Sequence, residues 1–366
     1  MGPREAVMPP MEAAMTSGTF VKRSIVFPIS ALAMVIAASA TAQDSPAASK
    51  YSVRTLALPD KGTGDVSMDY LAFDPSTNSL WVPAGNTGAV DVVDVATGKV
   101  RQIPDLPTAE VPARGGTRVL GPSGVSIGNG VVYIGNRGGS EVCAFNSRTL
   151  ARVACQHLDA RPDGVAYVAP TKEVWVTTPS EQGIRILDAS TLAQKAKLTF
   201  PGNTEGYAVD AKRGRFYTNL EDKDRTVAVD LKTHETVATW NPACGGGGPH
   251  GLGLDVAAGH LFIGCDALAE VMNVGGDGAV LSKVDTGDGV DDIHYEPATH
   301  LLFVGAARAA KLTIARADPA GTLTTVAQVA TQSGARNGVV TKDGTIYLAH
   351  GGGVKLPALV VVSPAK

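Results

Sequence analysis

An all-β fold is what this 366-residue sequence predicts. It is a seven-bladed β-propeller of four-stranded blades, its ring closed by the N-terminal strand. Three observations predict it. A unit of short apolar strands recurs at a near-constant period. The second strand of each unit has the same kind of composition. One strand is left over before the first unit, and one is missing from the last.

Aligned on their first strands, the units lead with Asp69, Ser123, Asp163, Glu205, His250, Asp291 and Asn337. The steps between them are 54, 40, 42, 45, 41 and 46 residues. A period of roughly 40–45 residues holding several short strands marks a propeller blade. The second strands read LWVPA, VYIGN, VWVTT, FYTNL, LFIGC, LFVGA and IYLAH. Each carries aromatic or β-branched residues suited to a packed sheet. Third and fourth strands are expected as hairpins around residues 94–99, 146–150, 188–192 and 230–234. There Asp94, Asn146, Asp188 and Asp230 can bond the turn backbone with their own side chains. After Asn337 the chain has room for three strands, at 338–341, 345–350 and 359–363. Residues 51–58, YSVRTLAL, supply the missing fourth, which leaves fewer open sheet edges.

Residues 1–42 read as a secretory signal outside the fold. Lys22 and Arg23 precede an apolar run over 25–38, and Ala40-Thr41-Ala42 is a small-residue cleavage site. The run is short for a bilayer span, so no membrane span is expected after cleavage. A linker over 43–50 then leads into a single propeller domain over 51–366. A periplasmic or secreted location follows, with a monomer as the expected state. The formal net charge is −3, and no basic tract occurs, which leaves nucleic-acid binding without support.

Four cysteines in an exported chain predict two disulfides. Cys143 and Cys155 flank one turn of the second blade. Cys244 and Cys265 lie before and within the fifth, where a thiolate metal site with His250 is the alternative. The long connection over 104–122 explains the 54-residue step and carries Arg114 and Arg118. Such a loop either covers a binding site or is a plain insertion.

In a propeller the first strand of each blade is innermost and starts at one mouth of the central channel. Asp69, Asp163, Glu205, His250, Asp291 and Asn337 are therefore expected to ring that mouth. The loops above it add Asn86, Asn136, Arg137 and His350. Converging carboxylates repel one another and need water, a raised pKa or a cation. Aspartate, glutamate and asparagine oxygens suit calcium, and His250 would admit zinc.

The second-strand endings VYIGN, VWVTT, FYTNL and LFIGC, each followed by a strand such as IRILD, resemble the YVTN/YncE-like β-propeller family across roughly residues 51–366. The phrases PDGVAY and TEGYAVD are shared more distantly with regucalcin/gluconolactonase-like and strictosidine-synthase-like propellers. The resemblance implies an exported propeller that binds a small ligand, an ion or a periplasmic protein at its mouth. Its more distant arm implies a metal-dependent lactonase-like hydrolase. In that version Asp163, Glu205, Asp291 and Asn337 would hold a divalent cation, calcium or zinc, that polarises a lactone carbonyl. His250 or Asp163 would handle the proton, and Arg114, Arg118 and Arg137 would grip an anionic substrate. Asp69, Asn86, Asn136 and His350 complete the expected ligand contacts. A scaffold using its outer edges for protein contacts is a third expectation. The sequence carries no G-x-S-x-G, H-E-x-x-H or C-x-x-C-H motif. The glycine run after Cys244 lacks the Gly-Lys-Ser/Thr ending of a phosphate loop.

Overall fold

Seven four-stranded antiparallel sheets account for the seven repeats. The computed structural model describes residues 2, 50–59, 65–113, 116–351 and 356–365. The chain divides into two units, Met1–Gln43 and Asp44–Lys366. The expected signal segment over 1–42 lies outside the described residues, Gly2 excepted, and the fold set out below is that of the second unit.

Burial follows from where a strand sits in its blade. The second strand is enclosed on both faces by neighbouring blades, so Ser79–Ala84, Glu173–Thr178 and His260–Cys265 are buried at every position. That is why they read as unbroken apolar runs rather than alternating ones. The outermost strand has one wet face, and Gln194–Thr199 and Val280–Asp285 alternate accordingly. The core is distributed between blades. Trp175 of the third blade stacks on Phe216 of the fourth with ring centroids 4.8 Å apart. Phe262 of the fifth stacks on Tyr295 of the sixth at 4.4 Å. Such pairs add about 0.5–1.5 kcal/mol each beyond the area they bury.

Ring closure is as expected. Tyr51–Ala57 pairs antiparallel with Ala358–Pro364, from Tyr51 opposite Pro364 to Ala57 opposite Ala358. This places the N-terminal strand outermost on a blade otherwise made of Arg336–Val340, Ile346–His350 and Ala358–Pro364. Both disulfides form, Cys143–Cys155 across adjacent strands and Cys244–Cys265 at the start of the fifth blade. The thiolate metal site at Cys244 and Cys265 is therefore corrected: the two sulfurs are spent on one another.

Two features were not foreseen. The long connection is a β-hairpin, Ala109–Ala113 paired with Gly116–Leu120. Five inner strands also shift register at their mouth ends, between Pro122 and Gly124, Glu205 and Tyr207, Pro249 and Leu252, Val290 and Ile293, and Arg336 and Gly338. A bulge leaves a residue out of the ladder and re-aims side chains locally. Here the bulges hold Ser123, His250, Asp291 and Asn337 and adjoin Glu205, all leading residues of the repeat. Gly206 shows the constraint that comes with them. It has a φ of +20°, and a Cβ there would overlap the His250 carbonyl oxygen of the next blade.

Candidate functional site

The bulged ends converge on one mouth. A cavity of about 280 Å³ is lined there by Asp69, Asp163, Glu205, His250 and Asp291 from the leading positions, together with Arg118, Arg137, Glu221, Asp266, Arg308 and Arg336. Asn337, almost fully buried, lies beside the cavity and cross-links the ring. Its Nδ2 donates to Asp69 Oδ1 at 3.0 Å and to Asp291 Oδ2 at 3.1 Å, while its Oδ1 accepts from the Asp292 amide at 3.0 Å.

Arginines interleave the carboxylates. The Arg137 guanidinium bridges two of them, bonding Asp163 and reaching Asp69 Oδ2 at 3.1 Å. Arg336 pairs with Asp291 at 3.1 Å, and Arg308 pairs with Asp266. His250 Nδ1 lies 3.4 Å from Glu221 Oε1. Tyr70 donates its phenol proton to Glu205 Oε1 at 2.6 Å.

Burial dominates the electrostatics. It pushes Asp69 up from 3.8 to about 7, helped by the Asp163 charge and opposed by Arg137. Asp163 is also raised by burial, with Arg137 pulling the other way. Glu205 is held well above the carboxylate range by burial and then by the charges of Asp163, Asp291 and Asp69. Asp292, below the ring, is raised well above its usual value by burial and then by Asp291. Tyr70 is likewise driven upward by burial and by Glu205, so it remains a phenol. The mouth thus resolves its crowding with protons and guanidinium groups.

The four expected cation ligands, Asp163, Glu205, Asp291 and Asn337, already have side-chain partners within the chain. Arg137 bonds Asp163, Tyr70 bonds Glu205, and Arg336 and Asn337 both hold Asp291. Among the described residues, the sets of three or more His, Cys, Asp or Glu donors within 4.8 Å of one another are Glu141 with Cys143 and Cys155, and Glu270 with Cys244 and Cys265. Both contain a disulfide, and neither is at the mouth.

Other predicted contacts are placed as follows. Asn86 lines a neighbouring cavity, but its amide is committed to the chain. Its Oδ1 accepts from the Ser67 amide at 3.0 Å and its Nδ2 donates to the Asp65 carbonyl at 2.7 Å. Asn136 is fully buried, bonded to Glu141 and to the Gly138 amide. His350 is buried with Nε2 against the Ser333 carbonyl at 2.9 Å. Neither Asn136 nor His350 lines the two mouth cavities. Arg114 lies outside the described residues. Arg336 and Tyr70 were missed, although each directly adjoins a leading residue, Asn337 and Asp69.

The neighbouring cavity, about 580 Å³, shares Arg118 and Arg336 with the first. It is otherwise lined by the hairpin residues Thr117 and Val119, the 65–68 segment and the ends of the sixth and seventh blades.

No family profile and no curated protein matches the chain. Solved structures do, at the level of fold. The structure of U3-55K shares 12% identity with a TM-score of 0.68, covering 87% of this chain and 100% of its own. The RRP9 WD40 repeats share 10% with a TM-score of 0.69, over 88% and 99%. A chain of the mitotic checkpoint complex shares 13% with a TM-score of 0.67, over 94% and 99%. The chain is a seven-bladed β-propeller. At these identities the likeness extends to architecture alone.

Proposed function

We propose that this propeller is an exported, YncE/YVTN-like binding protein that takes a small molecule at its channel mouth without catalysing its conversion. In this reading residues 1–42 are a cleaved signal, 43–50 a linker and 51–366 the mature domain, working as a monomer in the periplasm or outside the cell. The observation that carries it is the pair of adjoining mouth cavities, the smaller with polar walls built on β-bulges of the ring and the larger with a partly apolar wall. Concave sites with a few fixed polar groups are the usual form of a small-molecule site. Two disulfides are compatible with an oxidising compartment. Among the described residues no helix is long and apolar enough to cross a membrane.

The metal-dependent hydrolase reading is supported less well, because its expected ligands are engaged with one another and with arginines. Arg137 claims Asp163 and Asp69, and Asp163 is then poorly placed to take a proton from a substrate. His250, facing Glu221, retains a polar contact of its own. The test is a thermal-shift screen of small polar molecules against the wild type and Arg336→Ala, in chelator. A compound that stabilises only the wild type supports a binding mouth. Turnover of lactones or esters surviving purification and lost on chelation would overturn the non-catalytic reading. Export is checked by sequencing the N-terminus of the periplasmic protein, which should begin near Gln43.

A further inference from the structure

The four arginines lining the mouth divide unequally. Arg137, Arg308 and Arg336 each meet a carboxylate at ion-pair distance. Arg118, exposed on the hairpin, does not do so among the described residues, although it lies close enough to Asp163 to be felt electrostatically. Its side chain lines both mouth cavities and a small crevice beneath the hairpin.

The other charged and titratable groups lining the smaller cavity contact one another or a neighbouring side chain. Arg137 serves Asp69 and Asp163, which together hold a shared excess of one negative charge that burial resists. Asp291 has Arg336, Asp266 has Arg308, Glu221 has His250, and Glu205 has the Tyr70 phenol. Of the arginines lining that cavity, Arg118 alone has no carboxylate at ion-pair distance among the described residues.

The larger cavity beside it has a different wall. Val66, Met68, Val119, Ala307 and Ala349 are apolar, and Asp65 is the one carboxylate among its described lining residues. Its floor is fixed. The Val66 amide donates to the Gly351 carbonyl at 2.9 Å, and the Gly85 amide donates to the Ser67 carbonyl at 2.8 Å. Asn86 clamps the same segment from above. The 65–68 strip is therefore held from the first and seventh blades at once, and a ligand would meet a surface that is already ordered.

We infer that this cavity takes a small organic monocarboxylate, its carboxylate on Arg118 and its apolar body against Val66, Met68 and Val119. The inference rests on the mouth being a binding site, as proposed above. A planar guanidinium matches a carboxylate with two parallel N–H···O bonds. A monoanion is favoured over a phosphate dianion, because Asp163 is within electrostatic reach of Arg118 and Asp65 lines the same cavity. The volume of about 580 Å³ lies within the range of roughly 300–1,000 Å³ usual for small-molecule sites.

Isothermal titration of the purified protein with hexanoate, hexanol and inorganic phosphate tests it. Hexanoate is expected to bind one to one, with hexanol and phosphate at least about tenfold weaker. Arg118→Ala should weaken hexanoate by about tenfold to a hundredfold, the loss of a charge-assisted hydrogen bond, and Arg118→Lys by less. Val119→Asp should also weaken it. Because Arg118 is exposed on the hairpin, these variants leave the blades intact.

Equal binding of phosphate through Arg118 would show a general anion site and overturn the carboxylate class. Hexanoate binding indifferent to Arg118→Ala would place the ligand elsewhere. If hexanoate fails while a neutral or cationic compound binds in a manner lost in Arg336→Ala, the mouth is a binding site and the ligand class is wrong. If nothing binds, both readings fall.

Discussion

Tyr70 Oη donates to Glu205 Oε1 at 2.6 Å, joining the leading segments of the first and fourth blades across the channel. The same tyrosine lies 5.5 Å, centroid to centroid, from the Tyr207 ring. Three blades apart in the ring, these residues meet only because the channel is narrow at this end. Burial, and then the charges of Asp163, Asp291 and Asp69, favour the neutral form of Glu205 there.

Replacing Tyr70 by Phe leaves the buried Glu205 carboxyl short of a partner. Stability should fall by about 1–3 kcal/mol, the usual cost of an unsatisfied buried polar group. Glu205→Gln should be tolerated, because a neutral amide replaces a carboxyl whose neutral form burial favours. Denaturant unfolding of the two variants checks both statements. A Glu205→Gln penalty as large as that of Tyr70→Phe would mean that the native group is charged.

The mouth acids should make stability fall as the pH rises. Asp69 is raised from 3.8 in the unfolded chain to about 7 in the folded one, chiefly by burial. Its protonated form is the favoured one, so its contribution is complete below about pH 4 and lost as pH climbs through about 7. Asp188 and Asp230 act in the opposite sense. Hydrogen bonds, from the Ser190 hydroxyl and the Thr233 amide foremost, lower each to about 2. Their contributions are present above about pH 4 and lost below it. The unfolding midpoint should decline between about pH 4 and 7, and Asp69→Asn should flatten that decline. An unchanged slope in the variant would assign the pH dependence to other groups.

Cys244–Cys265 closes a loop of 21 residues and ties the approach segment of the fifth blade to its second strand. Loop-closure arguments put such a link at about 3 kcal/mol. The double variant Cys244→Ser/Cys265→Ser should lose an amount of that order. Thiol titration of the native protein should find no free thiol, and reduction under denaturing conditions should release four, all the cysteines of the chain.

Gly206→Ala should cost about 1–3 kcal/mol, the usual range for overpacking. The added methyl has to displace the His250 backbone from a bulge that holds the mouth together. The loss should appear as a lower midpoint for the whole domain, read by calorimetry.

Much of this was legible in the sequence because each blade repeats the same strand chemistry. The buried second strands and the Asp or Asn turn caps pinned the period, and the orphan strand at residue 51 predicted the closure that Tyr51–Ala57 makes with Ala358–Pro364. The residues at the mouth were legible for a related reason, since the leading position of a blade is also its channel end. Their partners were not. Arg137 reaches Asp69 over 68 residues of sequence, and Tyr70 reaches Glu205 over 135. Such pairings depend on the diameter of the ring, which no local pattern encodes. The bulges escaped notice because they arise from the close approach of neighbouring blades, as at Gly206. The hairpin over 109–120 was hidden by a Pro- and Gly-rich sequence that reads as loop.

Thermal unfolding in chelator, repeated with calcium and with zinc, tests most directly whether Arg137 takes the place of a metal at the mouth. With the guanidinium bridging Asp69 and Asp163, neither ion should move the wild-type midpoint by more than about one degree, since an ion that does not bind the native state cannot stabilise it. A rise of several degrees with either ion, abolished in Glu205→Ala, would contradict this and return the mouth to metal chemistry.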